Sequence, residues 1–256
     1  MDVREVREPA SATGRAWSVL LLEAQGRGHR AWIGTAELRY RSWTVVDTPR
    51  YIAVEGPIGV GKTSLAELLA EHLGADLVRE QPEDNPFLGA FYKDPKRNAM
   101  STQLFFLFQR YQQQGELAQG NLFARGGLVA DYLFAKDRLF AALTLSNDEL
   151  GLYQRIYEML RPRVTTPDLV VYLKASTPVL LERIRRRGRA VEKPIRAEYL
   201  DDVVRTYAEF FFRYDEGPLL VVDASELDFV GNPEHREELL AVIQRTRSGV
   251  NHWSRR

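Results

Sequence analysis

The sequence predicts an α/β fold in which a parallel five-stranded sheet lies between two layers of helices. Five short apolar runs alternate with longer amphipathic segments, and this order produces parallel strands joined by helical crossovers. The chain has 256 residues, 45% of them hydrophobic, so it is long enough to bury the core of one such domain. We therefore expect one main domain over residues 49–256, preceded by an N-terminal extension over residues 1–48.

The five predicted strands are short and apolar, as expected for strands that helices cover on both faces. They cover residues 51–55, 76–79, 127–130, 169–173 and 219–222. The predicted helices place apolar residues on one face, which can then pack against the sheet. They cover residues 64–73, 99–119, 137–143, 148–160, 178–187, 197–213 and 234–245.

The N-terminal extension differs from the rest of the chain, because it is rich in Arg, contains no Lys and carries no chemical motif. We expect it to be flexible or loosely packed. A partner-binding or regulatory arm is an alternative, and so is a start codon assigned too far upstream.

The composition excludes several classes of function. Lys and Arg together number 35, as do Asp and Glu, so the chain has no basic excess with which to bind nucleic acid. Cysteine is absent, which excludes disulfides and thiolate chemistry. No apolar run reaches the roughly 18–20 residues that cross a bilayer. We therefore expect a cytoplasmic protein without a nucleic-acid or membrane partner.

A phosphate-binding loop follows the first predicted strand. Residues 56–63 match the pattern G-x-x-x-x-G-K-[ST], in which glycines let successive backbone amides point at phosphate oxygens. Lys62 would reach the β- and γ-phosphates of ATP, and the Thr63 hydroxyl would ligate Mg²⁺. The predicted nucleotide-binding residues here are Gly56, Gly59, Val60, Gly61, Lys62, Thr63 and Ser64. With the strand order, the motif predicts a P-loop NTPase-like three-layer fold.

Asp131 is a second candidate ligand for Mg²⁺, because it follows the third predicted strand directly. A carboxylate at the C-terminal end of a strand lies where parallel sheets bind their ligands. There it can hold Mg²⁺ directly or through water. The alternatives are an exposed turn residue and a helix N-cap.

An arginine-rich segment indicates which class of P-loop protein this is. Five arginines lie among the seven residues 183–189, and a guanidinium can donate to two phosphate oxygens at once. Kinases of small molecules need such a lid to neutralise the phosphoryl group and exclude water. The GTPase motif N-K-x-D is absent. We predict that Arg183, Arg187 and Arg189 stabilise the transfer, and that Arg187 and Arg189 also bind ATP.

Four segments after the P-loop carry further motifs in a recognisable order. They are R-E-Q-P-E-D-N-P-F-L at 79–88, F-Y-K-D at 91–94, D-Y-L-F-A-K-D-R at 131–138 and D-A-S-E-L-D-F at 223–229. Together with the P-loop and the lid, they resemble the deoxynucleoside kinases of the deoxycytidine and deoxyguanosine kinase type, particularly the bacterial members. The resemblance covers residue 51 to about residue 229.

The resemblance implies roles for individual residues. Glu80 would be the general base on the nucleoside 5′-hydroxyl, a task that suits a carboxylate at a strand end beside the P-loop. Tyr92 and Glu192 would bind the sugar 3′-hydroxyl. Asp228 and Phe229 would belong to the loop that covers the donor adenine.

Three further residues would contact the base of the nucleoside. Gln103 offers an amide that both donates and accepts, and Arg110 lies seven residues later on the same helix face. Asp137 matches a base-contacting Asp of the family. Because thymidine-preferring relatives replace the equivalents of Arg110 and Asp137 with apolar residues, we expect a deoxypurine substrate, with deoxycytidine as the alternative.

Tyr132 departs from the family pattern, which has an arginine at this position. The missing guanidinium would normally help hold the catalytic carboxylate and the phosphate. Arg125 or an arginine of the lid is the candidate replacement.

The sequence therefore predicts a Mg²⁺-dependent kinase that transfers phosphate from ATP to the 5′-hydroxyl of a deoxynucleoside, in nucleotide salvage. A nucleoside-monophosphate kinase of the thymidylate type is the first alternative, and a non-catalytic nucleotide-binding regulator is the second. The resemblance also implies a homodimer formed through a helical bundle of residues 99–119 and 148–160.

Overall fold

The structure is a computed structural model that describes residues 51–120, 127–161 and 164–255. The predicted N-terminal extension, residues 1–48, lies outside the described residues, and so does Arg125. The boundary between the extension and the main domain therefore stays a prediction.

The described residues form one sheet of six parallel strands, so the prediction of five strands is wrong. The strands are β1 (Tyr51–Glu55), β2 (Asp76–Val78), β3 (Leu128–Ala130), β4 (Leu169–Lys174), β5 (Leu219–Asp223) and β6 (Val250–Trp253). Their order across the sheet is β2-β3-β1-β4-β5-β6, and every neighbouring pair is parallel. The sixth strand was missed because it lies at the edge and has the sequence V-N-H-W, in which only Trp253 is half-buried.

The described residues contain eight α-helices. They are α1 (Lys62–Leu73), α2 (Leu88–Lys93), α3 (Pro95–Gly120), α4 (Lys136–Thr144), α5 (Asn147–Leu160), α6 (Thr177–Arg187), α7 (Ala197–Phe212) and α8 (Pro233–Arg245). Seven match predicted helices, whereas the six residues of α2 are too few to show a helical repeat. Within these ranges, no helix has the length and apolar character that traversing a bilayer requires.

Alternating residues of the strands face two hydrophobic cores on opposite sides of the sheet. On β1, Ile52 and Val54 pack in the core shared with α1, α6 and α8. Tyr51 and Ala53 point the other way, into the core shared with α4 and α7. Helices therefore cover both faces, and the predicted three-layer architecture is confirmed.

The strand order places a binding crevice beside β1. The chain leaves β1 toward β2 and β3 on one side, and later adds β4, β5 and β6 on the other. In parallel sheets, ligands bind beyond the C-terminal ends of the strands at the point where the strand order reverses. The P-loop begins directly after β1, so it lies at this point.

Candidate active site

The P-loop depends on glycine because its backbone passes close to neighbouring elements. Gly59 has φ 84°, and a Cβ there would lie 2.8 Å from Ile184 Cγ1. Gly56 has φ 150°, and a Cβ there would collide with the carbonyl oxygen of Leu173. Helix α1 begins at the end of the loop without a side-chain cap, so its first amides remain available to an anion.

The ammonium group of Lys62 contacts the first residues of the P-loop. Its Nζ donates to the carbonyl oxygens of Gly56 at 2.8 Å and Pro57 at 3.3 Å. Burial lowers the pKa of Lys62 to about 8, and the positive charge of Lys136 acts in the same direction. A bound triphosphate would give this cation the negative partner that favours its charged form.

Thr63 and Asp131, the two predicted Mg²⁺ ligands, are in direct contact. The Thr63 hydroxyl donates to Asp131 Oδ2 at 2.7 Å, and the Glu80 backbone amide donates to Asp131 Oδ1 at 2.5 Å. Among the described residues, no three acidic or histidine side chains are grouped to hold a metal alone. One hydroxyl and one carboxylate nevertheless fit Mg²⁺, which protein sites commonly bind together with water and substrate phosphates.

Two cations hold the carboxylate of Glu80 from different sides. Arg110 donates to Oε1, and Lys136 Nζ donates to Oε2 at 2.8 Å. Burial by itself raises the pKa of the Glu80 carboxyl, but Lys136 and Arg110 outweigh it and hold this pKa well below its usual range. The carboxylate is therefore ionised, as a proton acceptor requires.

Arg110 also connects Glu80 to Asp137. Its second terminal nitrogen donates to Asp137 Oδ1, so one guanidinium binds both carboxylates. Asp137 is fully buried in the first turn of α4 and does not line the cavity, whereas Arg110 does. The structure thus places Asp137 behind Arg110, where it orients the guanidinium.

A cavity of about 430 Å³ collects most of the predicted acceptor-side residues, and we call it the smaller cavity. Its walls include Lys62, Thr63, Glu80, Tyr92, Gln103, Arg110, Asp131, Arg187, Arg189 and Glu192. Apolar and aromatic side chains complete the walls, among them Phe91, Phe106, Phe140 and Tyr199. A pocket that combines aromatic surface with a few directed polar groups is typical of a small-molecule site.

An ion pair between Arg187 and Glu192 also lines the smaller cavity. Arg187 donates to the two carboxylate oxygens of Glu192 at 2.6 and 3.2 Å. Burial raises the pKa of Tyr92 well above its ordinary value, and the neighbouring Tyr199 and Glu192 add to this effect. Tyr92 therefore keeps its hydroxyl proton and can donate to a ligand beside Glu192.

A second cavity of about 690 Å³ lies on the other side of the P-loop, and we call it the larger cavity. Its walls include Gly59, Val60, Gly61, Ser64, Arg183, Arg187, Asp228 and Phe229. Arg183 donates to the carbonyl oxygens of Val60, Ala224 and Leu227 at 3.2, 2.7 and 3.5 Å. It thereby joins the P-loop to the loop that follows β5. Of the other two predicted lid arginines, Arg187 lines both cavities and Arg189 lines the smaller one.

Two residues of the site were missed from the sequence, Lys136 and Glu55. Glu55 Oε1 accepts from the Gly56 amide at 2.9 Å and the Tyr207 hydroxyl at 2.8 Å, and Oε2 accepts from the Leu133 amide at 2.7 Å. The sequence did carry one signal for Glu55, which is its position directly before the P-loop. For Lys136 there was none beyond its position within the segment 131–138 that begins with Asp131.

The parallel sheet, the phosphate loop after its first strand and the two cavities flanking that loop define a P-loop phosphotransferase. A family model described as deoxynucleoside kinase matches residues 52–247. The chain therefore belongs to the deoxynucleoside kinase family. This result confirms the predicted family and enzyme class, and it favours the nucleoside kinase over both alternatives.

Characterised relatives agree with this family over most of the chain. The chain is 36% identical over 203 residues to the deoxyguanosine kinase of Bacillus subtilis, an alignment that covers 78% of this chain and 98% of that protein. It is 30% identical over 206 residues to the deoxyadenosine kinase of Lactobacillus acidophilus, covering 75% and 94%. The deoxyadenosine kinase of M. mycoides, solved with bound dATP, superposes with a TM-score of 0.66 at 27% identity, covering 76% and 98%.

Proposed function

We propose that this kinase transfers the γ-phosphoryl group of ATP to the 5′-hydroxyl of a deoxynucleoside bound in the smaller cavity. The observation that supports this most directly is the position of Glu80. Its ionised carboxylate lines the same cavity as Lys62, Thr63 and Asp131, the residues that would hold the triphosphate and its Mg²⁺. The proposed proton acceptor and the proposed phosphate-binding residues thus line the same cavity.

The donor would lie along the P-loop with its base in the larger cavity, beside Asp228 and Phe229. Lys62 and the lid arginines Arg187 and Arg189 would neutralise the charge that develops on the transferring group. Bound Mg²⁺, held by Thr63 and Asp131, would supply further charge neutralisation. Positioning and electrostatics suffice for this chemistry, because phosphoryl transfer asks for little covalent participation by the protein.

The acceptor would lie with its 5′-hydroxyl at Glu80. As the 5′-oxygen bonds to the γ-phosphorus, the bond from that phosphorus to the bridging oxygen breaks and ADP leaves. The hydroxyl proton passes to Glu80, which Arg110 and Lys136 keep in place. Tyr92 and Glu192 would bind the 3′-hydroxyl from the opposite wall.

We further propose a deoxypurine as the acceptor. Gln103 is buried and presents its amide to the smaller cavity, where it can both donate to and accept from a base edge. Arg110 lines the same cavity, and its hydrogen bond to Asp137 fixes the orientation of its guanidinium. The relatives named above are a deoxyguanosine kinase and deoxyadenosine kinases. Deoxycytidine remains the second candidate.

The assembly we propose is a homodimer formed through α3 and α5. These helices pack together on their inner sides around Leu107, Tyr153 and Tyr157. Their outer sides leave Phe108, Leu152 and Met159 exposed at 48%, 54% and 71%. A bundle with the same helices of a second copy would cover this apolar surface. We place the enzyme in the cytoplasm, where its proposed donor ATP is available.

A panel of acceptors tests the proposed function. The purified full-length chain is incubated with ATP, Mg²⁺ and each of the four deoxynucleosides, and separately with the four deoxynucleoside monophosphates. We expect 5′-monophosphates from deoxyguanosine or deoxyadenosine and no diphosphates from the monophosphate series. Phosphorylation confined to monophosphates would overturn the proposal, and a preference for deoxycytidine would overturn the deoxypurine assignment.

A further inference from the structure

Lys136 lies at the centre of the site although no motif predicted it. Its Nζ donates to Glu80 Oε2 at 2.8 Å and lies 3.9 Å from Glu55 Oε1. Only 7% of its side chain is exposed, and it lines the smaller cavity. A buried ammonium group needs such partners, because an unpaired charge in the interior is costly.

The two cations on Glu80 arrive from different helices. Arg110 lies in α3 and binds Oε1, whereas Lys136 is the first residue of α4 and binds Oε2. Rotation of the Glu80 carboxylate about its Cγ–Cδ bond would break at least one of these two ion pairs. Lys136 therefore fixes the direction in which the remaining lone pairs of Glu80 point.

A purely structural ion pair is the competing explanation for Lys136. Charge balance is part of its role, because the single charge of Arg110 is shared between Glu80 and Asp137. Its place in the site nevertheless favours a further role, because Lys136 lines the same cavity as Lys62, Thr63 and Asp131, the residues proposed to hold the phosphates and the metal.

Tyr132 contributes no charge to this arrangement. It is fully buried, and the guanidinium carbon of Arg110 lies 5.7 Å from the centre of its ring. The family pattern places an arginine at position 132. In this chain a cation reaches Glu80 from four residues further along, where Lys136 donates to Oε2. Arg187 and Arg189 form no ion pair with Glu80, whose partners among the described residues are Arg110 and Lys136, while Arg125 lies outside those residues.

We propose that Lys136 is a positioning residue, which holds Glu80 through Oε2 in the orientation that accepts the proton of the 5′-hydroxyl. It takes the part predicted for the arginine that Tyr132 replaces. The inference rests on the proposed role of Glu80 as the proton acceptor.

Lys136→Met tests the inference, because methionine keeps much of the side-chain length and removes the charge. We expect kcat, measured well below the melting temperature, to fall about 100-fold, as for other misplaced catalytic groups, while the affinity for ATP stays near the wild-type value. The melting temperature should fall as well, because Glu80 and Glu55 lose a buried positive partner. Lys136→Arg should recover much of kcat, since a guanidinium can also bind Oε2. Lys174→Met is the matched control, because Lys174 lies at the surface and pairs with Asp223 at 3.2 Å.

A double substitution separates positioning from a structural role. In the Glu80→Gln background, Lys136→Met should cause little further loss of kcat, because a positioning residue acts through the carboxylate. The inference is overturned if Lys136→Met retains wild-type kcat, or if its loss is equally large in both backgrounds. The wild-type chain and Glu80→Gln test the proposed function by themselves, so a failure confined to the Lys136 variants concerns this inference alone.

Discussion

Thr63 and Asp131 are joined by a 2.7 Å hydrogen bond although 68 residues separate them in the sequence. The bond ties the start of α1 to the end of β3 and brings a hydroxyl and a carboxylate to one point of the smaller cavity. Because Mg²⁺ in kinases is bound by few protein oxygens together with phosphates, this contact is the structural basis for the proposed metal site.

Asp131→Asn should weaken Mg²⁺ binding, because the amide oxygen carries no charge. We expect activity at limiting Mg²⁺ to fall about 10- to 100-fold and to recover in part at high Mg²⁺. Initial rates over a Mg²⁺ titration measure this effect, and a chelator should abolish activity. Asp215→Asn, in the exposed loop after α7, is the control. A Mg²⁺ dependence unchanged by Asp131→Asn would refute the assignment.

Glu80→Gln should lower kcat by about 100-fold or more, because the amide cannot accept the hydroxyl proton. It also leaves Arg110 and Lys136 facing a neutral group. We therefore expect the free energy of unfolding to fall by up to about 3 kcal/mol, since Asp137 and Glu55 remain as partners. Steady-state rates and denaturant titration measure the two effects. Normal turnover would show that another residue is the base.

The control for this variant is Glu71→Gln on the exposed face of α1, which should change neither quantity. ATP binding to the Glu80→Gln protein, measured by calorimetry, should persist. Loss of ATP binding would mean that the variant had disturbed the P-loop rather than the chemistry.

Gln103→Ala should reduce kcat/KM for the preferred deoxynucleoside by about 10- to 100-fold while leaving the KM for ATP unchanged. The reason is that a site built to hydrogen-bond a substrate loses that free energy when its partner is removed. Gln112→Ala, an exposed position of the same helix, is the matched control. Equal kinetics for both variants would exclude Gln103 from base recognition.

ATP binding should take up a proton under alkaline conditions. The pKa of Lys62 is lowered to about 8, so at about pH 9 most of this side chain is neutral in the free protein. The triphosphate raises this pKa, and the bound state therefore holds the proton. At about pH 6.5 the side chain is charged in both states and its contribution vanishes.

Calorimetry in buffers of different ionisation enthalpy measures the proton uptake directly. We expect it to rise toward one proton per site between the neutral and the alkaline condition. An uptake that stays constant over this range would contradict the position of Lys62 as the buried cation of the loop.

Met159→Lys combined with Leu152→Lys should convert the proposed dimer to monomers, because two buried charges would face the partner helices. Light scattering after size-exclusion chromatography measures the mass in solution. Phe212→Lys is the control, since Phe212 is 89% exposed on α7, away from α3 and α5. A wild-type mass of one chain would refute the dimer.

The fold was predictable from the sequence where burial left a clear pattern. Strands β1, β4 and β5 are continuous runs of apolar and aromatic residues up to a charged last residue, and the glycine pattern of the P-loop reflects close backbone contacts. The edge strand β6 escaped prediction because its residues are largely exposed, so its hydrogen bonds to β5 leave no hydrophobic signature.

The site was only partly predictable, because depth and pairing are properties of the folded chain. The sequence indicated that Arg110 and Asp137 belong to the site, but only the packing shows that Asp137 lies behind Arg110 and outside the cavity. Lys136 pairs with a carboxylate 56 residues away, and no local motif could indicate that contact. Arg183 was predicted in the lid by its charge, yet three backbone carbonyls determine its direction.

The hydrogen bonds of Glu55 bear on which parts of the site can respond when ligands enter and leave. Its carboxylate fastens the first glycine of the P-loop, the turn before α4 and helix α7 to one point in the interior. These three elements are thereby held together by one buried side chain. Arg187, by contrast, is partly exposed, lines both cavities and pairs with Glu192. We therefore expect the rate of product release to respond to substitutions at Arg187 and Glu192 more than to substitutions at Glu55.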